Sequence, residues 1–242
     1  AASFGVQEQG TLAGVVFIDL NSNGVQDVGE PGVAGANVQL LANNVLVQSA
    51  VTGGSGVYRF VGVTPGSYLV RLDALAGYVA SVTAERNITL RSGDAAGVSF
   101  AVQEVGSISG MIYQDHNGNG RADSGELGIA GVAVTLTSDL CRAMRAQCGA
   151  PQLTDATGRY QFTGLAPALY QVEAVAPVDW AASGPISQRL LLQSGSAATA
   201  SFGYQARGGV GGVIFVDLDG DAIQGFGESG LVGVAVQVLQ EN

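Results

Sequence analysis

The chain has 242 residues, 47% apolar and 12% charged, with 37 glycines against 6 prolines. That is enough apolar side chain to bury a core, which excludes a disordered tail, and the absence of a Gly-x-x period excludes collagen. The formal charge is −10, from 20 acids against ten arginines and no lysine, so a nucleic-acid partner, which needs a basic face, is not expected. No apolar run reaches the ~18 residues of a membrane-spanning helix, so no membrane span is expected either.

Residues 1–9 read as the last strand of a preceding unit, because Ser3-Phe4-Gly5-Val6-Gln7-Glu8 is echoed by Ser99-Phe100-Ala101-Val102-Gln103-Glu104. A first repeat spans 10–105 and a second spans 106–207, with Gly56-Val57-Tyr58-Arg59-Phe60 returning as Gly158-Arg159-Tyr160-Gln161-Phe162. Residues 208–242 match only the first third of a repeat, so the chain is expected to begin and end in mid-unit. It is then an excerpt of a longer array, or a subunit whose ends are completed by neighbouring chains.

Within a unit the pattern is that of strands. Val57–Val63, Ser67–Leu72 and Val98–Gln103 alternate or run apolar over short stretches, with Gly, Asn, Asp and Pro between them. About seven strands per unit and no convincing helix predict an all-β chain of tandem antiparallel Greek-key β-sandwiches, Ig-like or prealbumin-like. Units are joined only by Gln7-Glu8-Gln9 and Gln103-Glu104-Val105, which predicts a semi-rigid rod in which each repeat's first partner is the next repeat.

The second repeat is six residues longer than the first, and its extra length lies around Cys141 and Cys148, seven positions apart. A local disulfide pinning a surface loop fits that spacing and implies an oxidising compartment.

The acidity is local. Segments 19–30, 115–126 and 217–228 hold ten of the 20 acids and one arginine, Arg121, a net of −9, while the rest of the chain nets −1. Asp19, Asn21, Asn23, Asp27 and Glu30 stand at positions 1, 3, 5, 9 and 12 of a twelve-residue loop, with Gly24 at 6 and the Val25 carbonyl at 7. This is the oxygen-ligand spacing of an EF-hand calcium loop. The second repeat supplies Asp115, Asn117, Asn119, Arg121 (carbonyl), Asp123 and Glu126 in the same positions. The third loop supplies Asp217, Asp219, Asp221, Ile223 (carbonyl) and Glu228, but has Ala222 at position 6 and Gly225 at position 9. One Ca2+ per repeat is expected, with weaker binding at the third loop and a structural rather than switching role.

The run from Gly14 through Asp19-x-Asn21-x-Asn23-Gly24-x-x-Asp27-x-Gly29-Glu30-Pro31-Gly32 to Gly35, then Gly56-x-Tyr58-x-Phe60 and Pro65-Gly66-x-Tyr68, resembles the B domains of serine–aspartate repeat surface proteins, of the collagen-adhesin B-type fold. The resemblance implies a calcium-stabilised sandwich in the stalk of an extracellular bacterial surface protein, adhesin or filament. Related domains stiffen themselves with Lys–Asn isopeptide bonds; without lysine this chain cannot.

Enzymatic activity is not expected. The one histidine, His116, falls at an outward-pointing loop position, which makes neither a triad nor a zinc site. The aromatics that recur between repeats, such as Tyr58/Tyr160, Phe60/Phe162 and Tyr78/Trp180, read as core; Tyr204 and Phe226 alone fall out of register. Three roles follow: a structural shaft, an adhesin region binding a partner through the Cys141–Cys148 loop, or a filament subunit completed by strands from identical neighbours.

Overall fold

A computed structural model of the chain describes residues 5–139, 141, 148 and 150–239. Ser3-Phe4 and most of the Cys-bounded insertion lie outside these. The first repeat consists of β1 (Gly10–Ile18), β2 (Asn37–Ala42), β3 (Val45–Val51), β4 (Val57–Val63), β5 (Gly66–Leu72), β6 (Tyr78–Ala80), β7 (Glu85–Leu90), β8 (Ala95–Gly97) and β9 (Phe100–Glu104). The second follows as β10 (Gly106–Gln114), β11 (Ala133–Ser138), β12 (Gln152–Leu153), β13 (Arg159–Leu165), β14 (Ala168–Ala174), β15 (Trp180–Ala182), β16 (Ser187–Leu192), β17 (Ala197–Thr199) and β18 (Phe202–Ala206). In the first repeat β6 and β8 have three residues each, too few to leave a periodic trace, so the seven longer strands are those that the alternation reveals.

Two sheets make each repeat. In the first repeat they run β4-β1-β9-β6, with β8 beside β1, and β3-β2-β5-β7; the second repeats this order. Pairing is antiparallel through β2, β5 and β7 and between β1 and β4. In addition β1 takes two parallel partners, β8 along its first half and β9 along its second. A sandwich whose first and last strands are parallel neighbours releases the chain at the end opposite its entry, as a tandem connection without a long return loop requires.

Alternation sorts the side chains. Along β4, Tyr58, Phe60 and Val63 face inward while Val57, Arg59 and Val61 face out. The inward sets form a separate core in each repeat, around Leu12, Val38, Leu40, Phe60 and Phe100 in the first and Ile108, Val134, Tyr160, Phe162 and Phe202 in the second. Fully burying one such side chain contributes roughly 1.5–3 kcal/mol. The repeated aromatics are therefore core, as their register implies. Gly14 and Gly110 let β1 and β10 approach a neighbouring segment closely: a Cβ there would stand 1.6 Å from the carbonyl oxygen of Val98 or Ala200. The buried hydroxyls of Tyr58 and Tyr160 donate to those same two carbonyls.

Tyr204 is also core. It corresponds to Val102, and its hydroxyl donates to the carbonyl of Ala174 at 3.1 Å. Ala174 in turn corresponds to Leu72: Val38 pairs with Leu72 and Val134 with Ala174 in equivalent registers. The second repeat has thus moved bulk from β14 to β18.

The repeats differ most at one edge. Where the first carries the seven-residue β3, the described residues of the second hold the two-residue β12. Next to β12 the Cys141–Cys148 disulfide is formed, with a Cα–Cα distance of 5.4 Å and the Ser138 hydroxyl donating to Cys141 Sγ at 3.0 Å. Closing so short a loop restricts the unfolded chain by about 2 kcal/mol. Reduction is accordingly expected to lower the unfolding free energy of the second repeat by that amount, and its denaturant midpoint with it. Trp180, the one tryptophan, lies in β15 of this repeat, and its fluorescence in matched melts with and without reductant checks the prediction.

Residues 206–242 form a compact unit of their own. Within it Phe215 bridges Gly230, and Val232, Val234, Val236, Val238 and Phe226 are exposed. No membrane-spanning helix occurs among the described residues.

Candidate metal centre

The first two acidic loops leave the ends of β1 and β10, and all three are closed at their base by a backbone bridge. Phe17 bridges Gly32, Tyr113 bridges Gly128 and Phe215 bridges Gly230, and the Ile18 amide donates to the Pro31 carbonyl at 2.9 Å. The loop ends are therefore fixed by backbone pairing.

Position 1 organises the turn. Asp19 is inaccessible to solvent, and its carboxylate accepts from the Asn23 amide at 3.1 Å, the Gly24 amide at 3.0 Å and the Ser81 hydroxyl. Asp115 accepts from the amides of Gly118, Asn119 and Gly120 at 2.7, 3.2 and 2.8 Å. Asp217 accepts from Gly220 and Ala222 at 2.7 and 3.0 Å. Position 6 takes a left-handed backbone in all three loops, with φ of +73° at Gly24, +73° at Gly120 and +62° at Ala222. Glycine tolerates this freely; at Ala222 it costs about 1 kcal/mol.

Position 12 closes the turn. Glu30 accepts from the amides of Leu20 and Asp27 at 2.9 and 3.0 Å, one per carboxylate oxygen. Glu126 does the same with His116 and Asp123, and Glu228 with Leu218 and Gly225. Between these anchors the first two loops share one arrangement. The side-chain amides of Asn21 and Asn23 donate to Asp27 at 2.8 and 2.7 Å, and those of Asn117 and Asn119 donate to Asp123 at 2.9 and 2.6 Å. The position-7 residues Val25, Arg121 and Ile223 add only a main-chain carbonyl to the set.

The third loop lacks those amide donors. Asp217, Asp219 and Asp221 bring carboxylate oxygens within 4.8 Å of one another. Asp219 and Asp221 accept only from the following turn, at the Asp221 and Ile223 amides. Gly225 leaves position 9 without a side chain, as its sequence implies.

The hydrogen bonds hold several carboxyls below the usual carboxylate range. Amide donation from Asn21 and Asn23 lowers Asp27, and donation from Asn117 and Asn119 lowers Asp123. Backbone amides, led by Ala222 and by Gly225 respectively, lower Asp217 and Glu228. A carboxyl depressed in the folded state stabilises the fold above its unfolded pKa, and this is lost as pH falls through the lowered value. Thermal midpoints in chelator are therefore expected to stay level from about pH 5 to 8 and to fall only below about pH 4. A melt series across that range checks it.

Two contributors escaped the sequence reading. Ser81, 62 positions from Asp19, donates to its carboxylate. Ser183, the same position in the second repeat, is buried beside Asp115 without a well-formed hydrogen bond, yet its hydroxyl is the main influence lowering that carboxyl. Their recurrence at the same place in both repeats was the available signal. Gln103 adds a third tie, donating to Ser22 at 2.8 Å from the strand that leads into the second repeat. His116 lies on the solvent side of its loop.

The donors are all oxygen, from carboxylates, carboxamides and carbonyls, without histidine or thiolate. That set fits a hard cation such as calcium and does not fit zinc.

A family model for the SdrD B-like domain matches residues 10–105 and 106–189. Serine-aspartate repeat-containing protein D of Staphylococcus aureus (strain Newman) is 26% identical over 96% of this chain, which spans 19% of that protein. Serine-aspartate repeat-containing protein F of Staphylococcus epidermidis is 27% identical over 93% of this chain and 14% of its own length. Among solved structures, the minor pilin GBS52 of Streptococcus agalactiae aligns over 83% of this chain and 98% of its own, at 10% identity and a TM-score of 0.39. With most of both repeats covered by one family model, the chain belongs to the family of SdrD B-like domains.

Proposed function

We propose that this chain is a structural shaft segment of an extracellular bacterial surface protein, in which calcium bound at the acidic loops stabilises each repeat. The observation that carries the reading is the recurrence of one oxygen-rich loop, closed by the same bonds, at the same place in successive repeats. Asp19, Asn21, Asn23, Asp27 and Glu30, with the Val25 carbonyl, would hold the first ion. Asp115, Asn117, Asn119, Asp123 and Glu126, with the Arg121 carbonyl, would hold the second. Asp217, Asp219, Asp221 and Glu228, with the Ile223 carbonyl, would hold a third.

The cation would supply charge neutralisation where three or four acids share one turn and repel one another. Taking an ion requires Asn21 and Asn23 to turn their amide oxygens toward it, releasing the donation to Asp27. In the third loop no such amide stands in for a cation. Disulfide formation agrees with an extracellular setting, where calcium modules bind with dissociation constants of roughly 10⁻⁴–10⁻³ M. The role is mechanical rather than catalytic.

The test is a thermal melt in millimolar calcium, in excess chelator and in magnesium. A midpoint that falls in chelator and returns with calcium but not magnesium supports the reading. Superimposable melts would remove calcium and leave a tandem β-sandwich whose loops are turns.

A further inference from the structure

The first repeat carries a seven-residue edge strand where the described residues of the second hold only the two-residue β12. β3 is the last strand of its sheet, and β2 is the one strand paired with it. The tight Asn43-Asn44 turn, with both residues at positive φ, leads into this seven-residue edge, whose pairing with β2 is regular from Gln48 to Val51 and shifts register once, at Val47. Val45, Leu46, Val47 and Val51 are 47–67% exposed. On the adjoining edge of the other sheet, where Gln48 donates to the Val61 carbonyl at 3.0 Å, Val57 and Val61 are exposed as well. Six aliphatic side chains thus surround an open row of backbone donors and acceptors.

Natural sheets blunt such edges with charge, proline or shortness. The other outer strands here do so. β7 begins Glu85-Arg86, β4 carries Arg59 and β13 carries Arg159; β12 has two residues, and β6 and β15 have three each. In the second repeat the positions of Val57 and Val61 are Arg159 and Thr163. Among the described outer strands β3 alone is both seven residues long and uncharged, and its single register shift, at Val47, leaves Gln48–Val51 regular. From Pro31 to Tyr58 there is no charged residue at all, in a chain of net charge −10.

We propose that β3 is a self-association edge, pairing antiparallel with β3 of a second copy of this chain. Charge selects that occupant. Two copies repel through their acidic loops, and the β3 strand, uncharged along its whole length, is where they can approach without opposing acids. An acidic or basic partner finds no charge on β3 itself to complement, Arg59 lying on the adjoining strand β4. The strand is also self-complementary. In the register centred on Gln48, Gln48 meets Gln48 of the other copy, Val45 meets Val51, Leu46 meets Ala50 and Val47 meets Ser49, so the outer two pairs on each side are aliphatic against aliphatic across the two-fold axis. One strand pair buries less than the ~1,600 Å² of a standard interface, so the contact is of the weak class. This goes beyond calcium binding and does not depend on it.

Sedimentation equilibrium of the full chain from about 10 μM to about 1 mM, the range of weak specific association, tests it. The weight-average mass is expected to rise from the monomer's 24.4 kDa toward twice that value. Val47→Lys and Val51→Lys should weaken association at least tenfold while leaving the thermal midpoint unchanged. Because the chain has no free cysteine among its described residues, Gln48→Cys should yield a disulfide-linked dimer on mild oxidation, and Thr163→Cys on the second repeat's edge should not. A mass that stays at the monomer value overturns the proposal. So does association that survives both lysine variants, or that is lost instead on Val234→Lys, which probes the exposed valines of residues 206–239.

Discussion

Tyr204→Val is expected to cost the second repeat about 3 kcal/mol, the lower end of what emptying a buried aromatic site costs. Tyr204 is fully buried, and its hydroxyl is satisfied by the Ala174 carbonyl. Valine would leave a cavity beside Ala174 that nothing fills. Ala174→Leu alone should also destabilise, by about 1–3 kcal/mol, because the leucine would collide with the ring. Combined, Ala174→Leu and Tyr204→Val install the Leu72/Val102 pair that the first repeat already packs, and most of the loss should return. The cycle's coupling energy should therefore be about 2 kcal/mol or more, the range of side chains that share one space. Urea titrations followed by Trp180 fluorescence report the second repeat selectively, since Trp180 packs against that core alone. Additive losses would mean that Tyr204 and Ala174 do not fill the same volume.

That pair shows where sequence reading stopped. Tyr204 has no aromatic counterpart in the first repeat, so it stood out as an exception, and its partner lies thirty positions away on another strand. Repeat phase, the acidic loops and the disulfide were legible because each is written in local spacing. Ser81 was not, since its contact with Asp19 depends on β6 pairing with β9, which lies between it and β1. Nor was the parallel pairing of β1 with β8 and β9, because alternation reports which face a residue takes and not which strand lies beside it. The exposure of β3 was hidden for the same reason: an apolar run reads alike in a central strand and at an edge. Phe226, the other aromatic out of register, is fully exposed, and nothing in the structure explains it.

Asp19→Ala separates the two accounts of the acidic loops. In chelator it is expected to cost the first repeat about 2 kcal/mol, because the Asn23 and Gly24 amides and the Ser81 hydroxyl lose their acceptor at a site shielded from water. If calcium binds there, a second loss appears in its presence, about 1.4 kcal/mol when free calcium stands at ten times the dissociation constant. Together these should lower the first repeat's midpoint by about 15 °C in calcium and about 10 °C in chelator. The second repeat keeps its own loop, so the calcium response seen through Trp180 should survive in the variant. Calorimetry with and without calcium, read beside that fluorescence, resolves the two repeats. Equal losses in both conditions would mean that Asp19 serves the turn through hydrogen bonds alone. A larger loss in calcium would identify the carboxylate as a ligand, and would tie the ion to the junction, because the Asp19 amide donates to Val102 and Gln103 donates to Ser22 where the chain passes into the next repeat.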